Sequence, residues 1–256
     1  MQARQTKIVA VANQKGGVGK TTTVVNLAAS LAAMGRTVLI IDLDPQANAT
    51  SGLGVAPQPG KSLYPVLLGD APIGEIITGT PIENLNIIPS ELDLCGVEIE
   101  IARRGNHLAA VRDALSPVRQ SGVFDYILLD CPPSLGILMT SAIAAVDSVL
   151  VTMQCEYYAM EGLSTITGKI LEPFHLPLEG ILMTMYDGRT NLCAEVVAEV
   201  RNHFGEKVYE TVIPRNIRIG EAPSFGQPVV TYDPAGKGAQ AYRAFAQEFD
   251  ARARKV

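Results

Sequence analysis

Between Gln14 and Thr22 the chain reads QKGGVGKTT, and these residue types are what is needed to hold a chain of phosphates. Gly16, Gly17 and Gly19 let the backbone curl until successive N–H groups point inward at anionic oxygens. Lys20 sets a cation against the β- and γ-phosphates, and the Thr21 hydroxyl can ligate Mg²⁺, with Val18 and Thr22 completing the loop. The usual pattern, G-x-x-x-x-G-K-[ST], is met at Gly19, Lys20 and Thr21 but not at its first position, where Gln14 stands. A second lysine, Lys15, follows immediately. The bland alternative is a flexible glycine turn with incidental lysines. A strand-like run before the loop and a helical pattern after it argue against that alternative.

Two other segments bring carboxylates. DLDPQANATSGLG (42–54) offers Asp42 and Asp44, although a solvated loop also carries such residues. ILLDCPPS (127–134) is an apolar strand that ends in Asp130, placed to hold Mg²⁺ through water. Its alternative role is to cap the following helix. Pro132 and Pro133 stiffen the turn behind it.

Elements that could position these groups alternate along the chain. KIVAVAN (7–13), TVLIIDL (37–43), NLNIIPS (84–90), FDYILLD (124–130), SVLVTM (148–153), LEGILMTMY (178–186) and KVYETVIP (207–214) read as strands. Helical patterns cover 21–35, a short stretch near 62–69, about 92–119, 135–146, a start near Ala159, 191–204 and 241–253; a loop fills most of 44–60. Strands apolar on both faces and separated by helices imply a doubly wound, mostly parallel sheet covered on both sides, in a single α/β domain spanning 1–256. In that architecture the glycine loop lies at the carboxyl edge of the sheet, where ligands bind. The first helix there presents its positive end to the same anion.

Composition narrows the function classes. With 256 residues, 47% hydrophobic and 18% charged, the chain can bury one sizeable core. No apolar run reaches the roughly 20 residues of a membrane span, and no signal-peptide pattern follows MQARQTK, so a cytoplasmic location is expected. Cys95, Cys131, Cys155 and Cys193 form no C-x-x-C pair and read as reduced, mostly buried thiols; the sharper reading is a cluster shared by Cys95 and Cys131 of two subunits. His107, His175 and His203 suggest no metal cage. Residues 1–188 hold 11 Lys/Arg against 18 Asp/Glu, and residues 189–256 hold 10 against 8. Bulk charge therefore does not select nucleic acid, and any DNA contact needs a local basic patch.

The stretch K-G-G-V-G-K-T-T resembles the deviant Walker A motif of the ParA/MinD superfamily of P-loop NTPases. The resemblance implies ATP or ADP with Mg²⁺ as ligands and a slow ATPase. It makes Lys15 a signature lysine that reaches the nucleotide of a partner subunit, and Lys20 the P-loop lysine. A second cation supplied in trans would stabilise developing charge as arginine fingers do. By the same resemblance, 42–54 is switch I, with Asp44 orienting the attacking water and a second candidate for Mg²⁺, and 127–134 holds Walker B and switch II. TMYDGRTNL (184–192) and TVIPRNIRIGEAPSFG (211–226) match the chromosomal ParA, or Soj, branch. Adenine contact is carried over to Pro214, Asn216 and Met185, and sequence-independent DNA binding to Arg189 and Arg218, with Arg215 or Arg243 nearby; ordinary surface arginines are the alternative.

The resemblance spans about residues 7–250 and fits the short form without an N-terminal helix-turn-helix domain. One departure is EGLSTITGKILEPFHLPLEG (161–180), several residues shorter than is usual and interrupted by Gly168 and Pro173. The expected activity is DNA segregation: an ATP dimer binds nucleoid DNA, and a ParB-like centromere-binding partner stimulates hydrolysis and release. A MinD-like membrane-positioning ATPase is the alternative, for which AYRAFAQEFDARARKV is poorly suited because Glu248 and Asp250 interrupt its aromatic stripe. A nitrogenase-type iron protein or a dethiobiotin synthetase-like enzyme is a more distant one.

Overall fold

The computed structural model describes residues 5–103, 105–156, 162–163 and 166–253. Runs rich in Val, Ile and Leu form seven strands, β1 (Lys7–Ala12), β2 (Val38–Asp42), β4 (Leu85–Ile88), β5 (Tyr126–Asp130), β6 (Ser148–Gln154), β7 (Leu178–Tyr186) and β8 (Val208–Pro214), and the two-residue edge strand β3 (Thr78–Gly79), whose Thr-Gly sequence carries no such run, makes eight. They lie in one sheet in the order β3-β4-β2-β5-β1-β6-β7-β8. Every neighbouring pair is parallel except the short edge pair β3–β4.

Because side chains alternate across a strand, β1 feeds two cores. Ile8, Ala10 and Ala12 face one layer, with Ile41, Leu129 and helical Val97, Leu115 and Met139. Val9 and Val11 face the other, with Leu27 and Leu31 of α1 (Lys20–Ala33) and Phe245 and Phe249 of the terminal helix Lys237–Ala253. The expected doubly wound P-loop NTPase fold is what forms. Its switch point falls at β1, flanked by β5 and β6, so the loop leaving β1 opens into the crevice where the chain order reverses.

Several elements differ from their sequence pattern. The long helix expected over 92–119 is two helices, α4 (Leu94–Ala102) and α5 (Ala110–Ser121). Gly105 and Asn106, both poor helix formers, fall in the break. The loop over 44–60 contains the short helix α2 (Asn48–Gly52), whose sequence NATSG has no apolar period to announce it. The expected α3 forms over Leu63–Leu68, and α6 over Ile137–Ile143. The helix start near Ala159 lies outside the described residues. In the interrupted 161–180 segment, Gly168 lies in a π-helical turn, Thr167–Leu171, and Pro173 in a single α-turn, Glu172–Phe174. Among the described residues, no helix is long and apolar enough to cross a membrane.

Candidate nucleotide site

The glycine loop is pinned at both ends before any ligand arrives. Buried Asn13 follows β1; its Nδ2 donates to the Thr152 carbonyl of β6 at 2.7 Å, and its Oδ1 accepts the Lys15 N–H at 2.9 Å. Val18 is a buried peg, and its carbonyl accepts the Thr184 hydroxyl of β7 at 2.9 Å. Gly17 and Gly19 sit at φ 73° and 85°, in the left-handed region that glycine tolerates, so both are required by the turn. Gly19 then hands the chain to α1 as its N-cap, with no side chain capping the helix's first N–H groups.

Lys20, only 8% exposed, folds back so that its Nζ donates to the Lys15 carbonyl at 3.3 Å. Burial lowers the pKa of this ammonium; Asp130, Cys131 and Asp44 oppose the shift. Asp42 and Asp130 end adjacent strands in direct register and are fully buried. Burial pushes the Asp42 carboxyl up to about 6, against hydrogen bonds from Thr50 that favour its charge. Asp130 is raised well above the usual carboxylate range, first by burial and then by Asp42, while Thr21 and Lys20 oppose the shift.

Among the described residues, neither Asp130 oxygen, both sealed from solvent, has a hydrogen bond of ordinary geometry, although the Thr21 hydroxyl lies close enough to favour the ionised form. A buried, unpartnered carboxylate facing a hydroxyl and a lysine suits a divalent cation held partly through water. Among the described residues no cluster of three or more His, Cys, Asp or Glu forms an all-protein cage.

A cavity of about 740 Å³ opens beside Lys20, Thr21 and Asp44; the buried Asp42 and Asp130 are not among its lining residues. Gly16, Gly17, Gly19, Lys20, Thr21, Thr22, Asp44 and Met185 line it. Pro132, Pro133 and Ser134 form one wall and the α2 residues Asn48, Ser51 and Gly52 another. Pro214 and Asn216 are not among the lining residues; the Asn216 Oδ1 instead caps the helix Ile217–Glu221 by accepting the Arg218 N–H at 2.8 Å. The end of the cavity beyond the loop is made by Asn26, Pro223, Gln227 and Pro228, which sequence reading missed. The signal available was the paired prolines around PSFGQP, which cannot continue a helix.

Lys15 is also absent from the lining. Its backbone belongs to the loop, but its ammonium pairs with Glu156, just beyond β6. Arg189 and Arg218 are exposed and held locally, Arg189 by both Asp187 oxygens at 2.8 and 2.6 Å and Arg218 by Glu221 at 2.9 Å. The Arg215 N–H donates to the Tyr186 carbonyl, joining the ends of β7 and β8 from which these arginines emerge. Arg243 is committed to the Val230 and Pro234 carbonyls. Cys95 is exposed at the cavity, whereas Cys131 is buried and its thiol pushed up by burial.

A family model described as an AAA domain matches residues 6–175. The chromosome partitioning protein ParA of Caulobacter vibrioides is 47% identical, over 99% of this chain and 97% of its own length. The chain belongs to the ParA/Soj family of partitioning ATPases. The sporulation initiation inhibitor protein Soj of Bacillus subtilis, 49% identical, covers 94% of this chain and 97% of its own. Among solved structures, cobyrinic acid a,c-diamide synthase from Mycobacterium smegmatis, with bound ATP analogue and magnesium, has a TM-score of 0.80 at 36% identity. That match covers 94% of this chain and 93% of the other. As a ParA/Soj family member, the chain carries its deviant Walker A loop at the sheet's switch point and its two acidic strand ends in register beside it.

Proposed function

We propose that the protein is a DNA-partitioning ATPase: it binds ATP with Mg²⁺ in the cavity over β1, closes into a homodimer around the nucleotide, binds DNA without sequence preference, and is released when hydrolysis follows contact with a ParB-like partner. The observation that carries the reading is Asp130, a fully buried carboxylate that, among the described residues, has the Thr21 hydroxyl and the Lys20 ammonium beside it but no hydrogen bond of ordinary geometry.

In the proposed mechanism the loop N–H groups and Lys20 bind the triphosphate, and Thr21 and Asp130 hold Mg²⁺, Asp130 through water and Asp44 as a further candidate. The metal supplies charge neutralisation at the transferring phosphoryl group. Asp44, which lines the cavity, orients the attacking water. Lys15 acts from the partner subunit, adding the second cation, so that turnover waits for dimerisation. Arg189 and Arg218, doubled in the dimer, form the DNA surface, and the protein works on the nucleoid in the cytoplasm.

The deciding experiment is ATP turnover by purified protein with and without DNA and a candidate ParB-like partner. Joint stimulation is expected, and indifference to both rejects the reading. Lys20→Ala should lose nucleotide binding; Lys15→Ala should keep it but lose dimerisation and hydrolysis; Asp44→Ala should accumulate an ATP dimer on a sizing column. The membrane alternative needs an apolar helix face free for lipid. In the terminal helix Lys237–Ala253, Tyr242, Phe245 and Phe249 are instead buried in the core. ATP-dependent flotation with liposomes would favour that alternative. Turnover stimulated by a small organic acid rather than by DNA would favour a biosynthetic one.

A further inference from the structure

The Lys15 ammonium has one ion-pair partner among the described residues, the Glu156 carboxylate of its own chain. Three features make the contact more than a passing surface pair. The Lys15 backbone is tethered, because buried Asn13 ties its N–H to the loop's root and itself to β6. The reach of the lysine is therefore set chiefly by its side chain. The Glu156 backbone is tied to the end of β6: its N–H donates to the Gln154 carbonyl at 2.9 Å, and the adjacent Cys155 carbonyl accepts the Cys193 thiol of helix Asn191–Phe204. Finally, Glu156 follows β6, the neighbour of β1 on the side away from β5 and Asp130, so the pairing draws the cation away from the carboxylates around Lys20.

We infer that Glu156 is a positioning residue, a latch that holds the Lys15 head group in its own subunit until the triphosphate of a second copy competes for it. The inference rests on the trans-lysine reading above and adds its resting state. Both side chains are substantially exposed, 56% for Lys15 and 41% for Glu156. A water-screened pair of this kind is weak enough to open, and a triphosphate carrying several negative charges outbids a single carboxylate. The latch would keep an unpartnered cation from engaging the wrong anion and would make closure depend on nucleotide.

The test is Glu156→Gln, assayed for dimerisation by light scattering against a titration of a non-hydrolysable ATP analogue with Mg²⁺. Removing one exposed pair per subunit should lower the half-maximal analogue concentration about two- to tenfold while leaving the monomer's ADP affinity unchanged. Glu156→Asp should stay close to wild type. A purely structural role predicts the opposite sign, so an unchanged or raised midpoint in a variant of normal melting temperature overturns the latch. Lys15→Ala separates the two layers. If it dimerises like wild type, the trans-lysine reading fails; if it does not dimerise and Glu156→Gln shows no shift, only the latch fails. The double variant should behave as Lys15→Ala, and a gain in dimerisation without Lys15 would also overturn the proposal.

Discussion

The Thr50 backbone N–H and hydroxyl both donate to one oxygen of Asp42, at 2.9 and 2.7 Å. The same hydroxyl accepts the Ser90 N–H at 3.0 Å, so a single side chain ties α2 to the ends of β2 and β4. Since α2 follows Asp44 and walls the nucleotide cavity, Thr50 should set where that carboxylate sits. Thr50→Val keeps the volume but strips the hydroxyl, leaving Asp42 one donor short and the Ser90 N–H without its acceptor. We expect a loss of about 1–3 kcal/mol, seen as a melting temperature lower by several degrees. Hydrolysis should fall more than nucleotide affinity, because the phosphate loop is untouched. Equal loss of both would contradict the assignment.

The buried carboxylates predict an unusual pH profile. In the unfolded chain Asp42 titrates near the ordinary aspartate value of about 3.9. In the fold, burial pushes it up to about 6. Between those values the folded state binds more protons than the unfolded one, so this group's contribution to stability falls as pH rises through that window. Asp130, raised chiefly by burial, has the same sign. Nucleotide-free protein should therefore gain stability from these two groups on moving from pH 7 towards 4.5. Asp130→Asn should raise the melting temperature at pH 7, by on the order of 1–3 kcal/mol of stability, and flatten the profile. Thermal unfolding at constant ionic strength for wild type and variant isolates the effect. A variant less stable than wild type at pH 7 rules it out.

Local patterns made seven of the eight strands, α1, helix Asn191–Phe204 and the loop chemistry readable, because buried β-branched runs, helical spacing and G-K-T-T act over a few neighbouring residues; the Thr-Gly edge strand β3 has no such run and forms only by pairing with β4. The position of Asp130 at a strand's carboxyl end followed from the same logic. What could not be read depends on partners distant in the chain. The helix α2 is held by Asp42 rather than by its own NATSG sequence. The far end of the cavity brings Asn26 of α1 to Pro228 and Gln227, about two hundred positions away. The direction of the Lys15 side chain depends on Glu156, which no spacing rule connects to it.

A close backbone approach joins that far end to α2. Gly226 stands at φ 63°, and a Cβ placed there would lie 2.8 Å from the Gly54 Cα. Gly226→Ala must both strain the turn and push residues 222–226 away from the end of α2. The expected outcome is a loss of about 1–3 kcal/mol in stability together with weaker ATP and ADP binding. Inorganic triphosphate binding, which needs only the loop and Lys20, should survive. Isothermal titration with the three ligands checks this, and parallel loss of all three would place the effect on the loop instead.

The proposed DNA surface is already partly neutralised. Asp187 grips Arg189 with both oxygens, and that fork holds the Asp187 carboxyl down at about 2, with Arg215 adding to the effect. A phosphate approaching Arg189 must displace this carboxylate, just as one approaching Arg218 must displace Glu221. Replacing both arginines by alanine should therefore weaken binding to duplex DNA and shallow its dependence on salt, since fewer counterions are released per complex. Asp187→Asn acts in the other direction: the guanidinium stays, its competitor goes, and affinity should rise severalfold at low salt with no change in sequence preference. Fluorescence anisotropy on two unrelated duplexes across a salt series measures all three quantities. If Asp187→Asn weakens binding while the double arginine variant has no effect, the DNA surface lies elsewhere on the molecule.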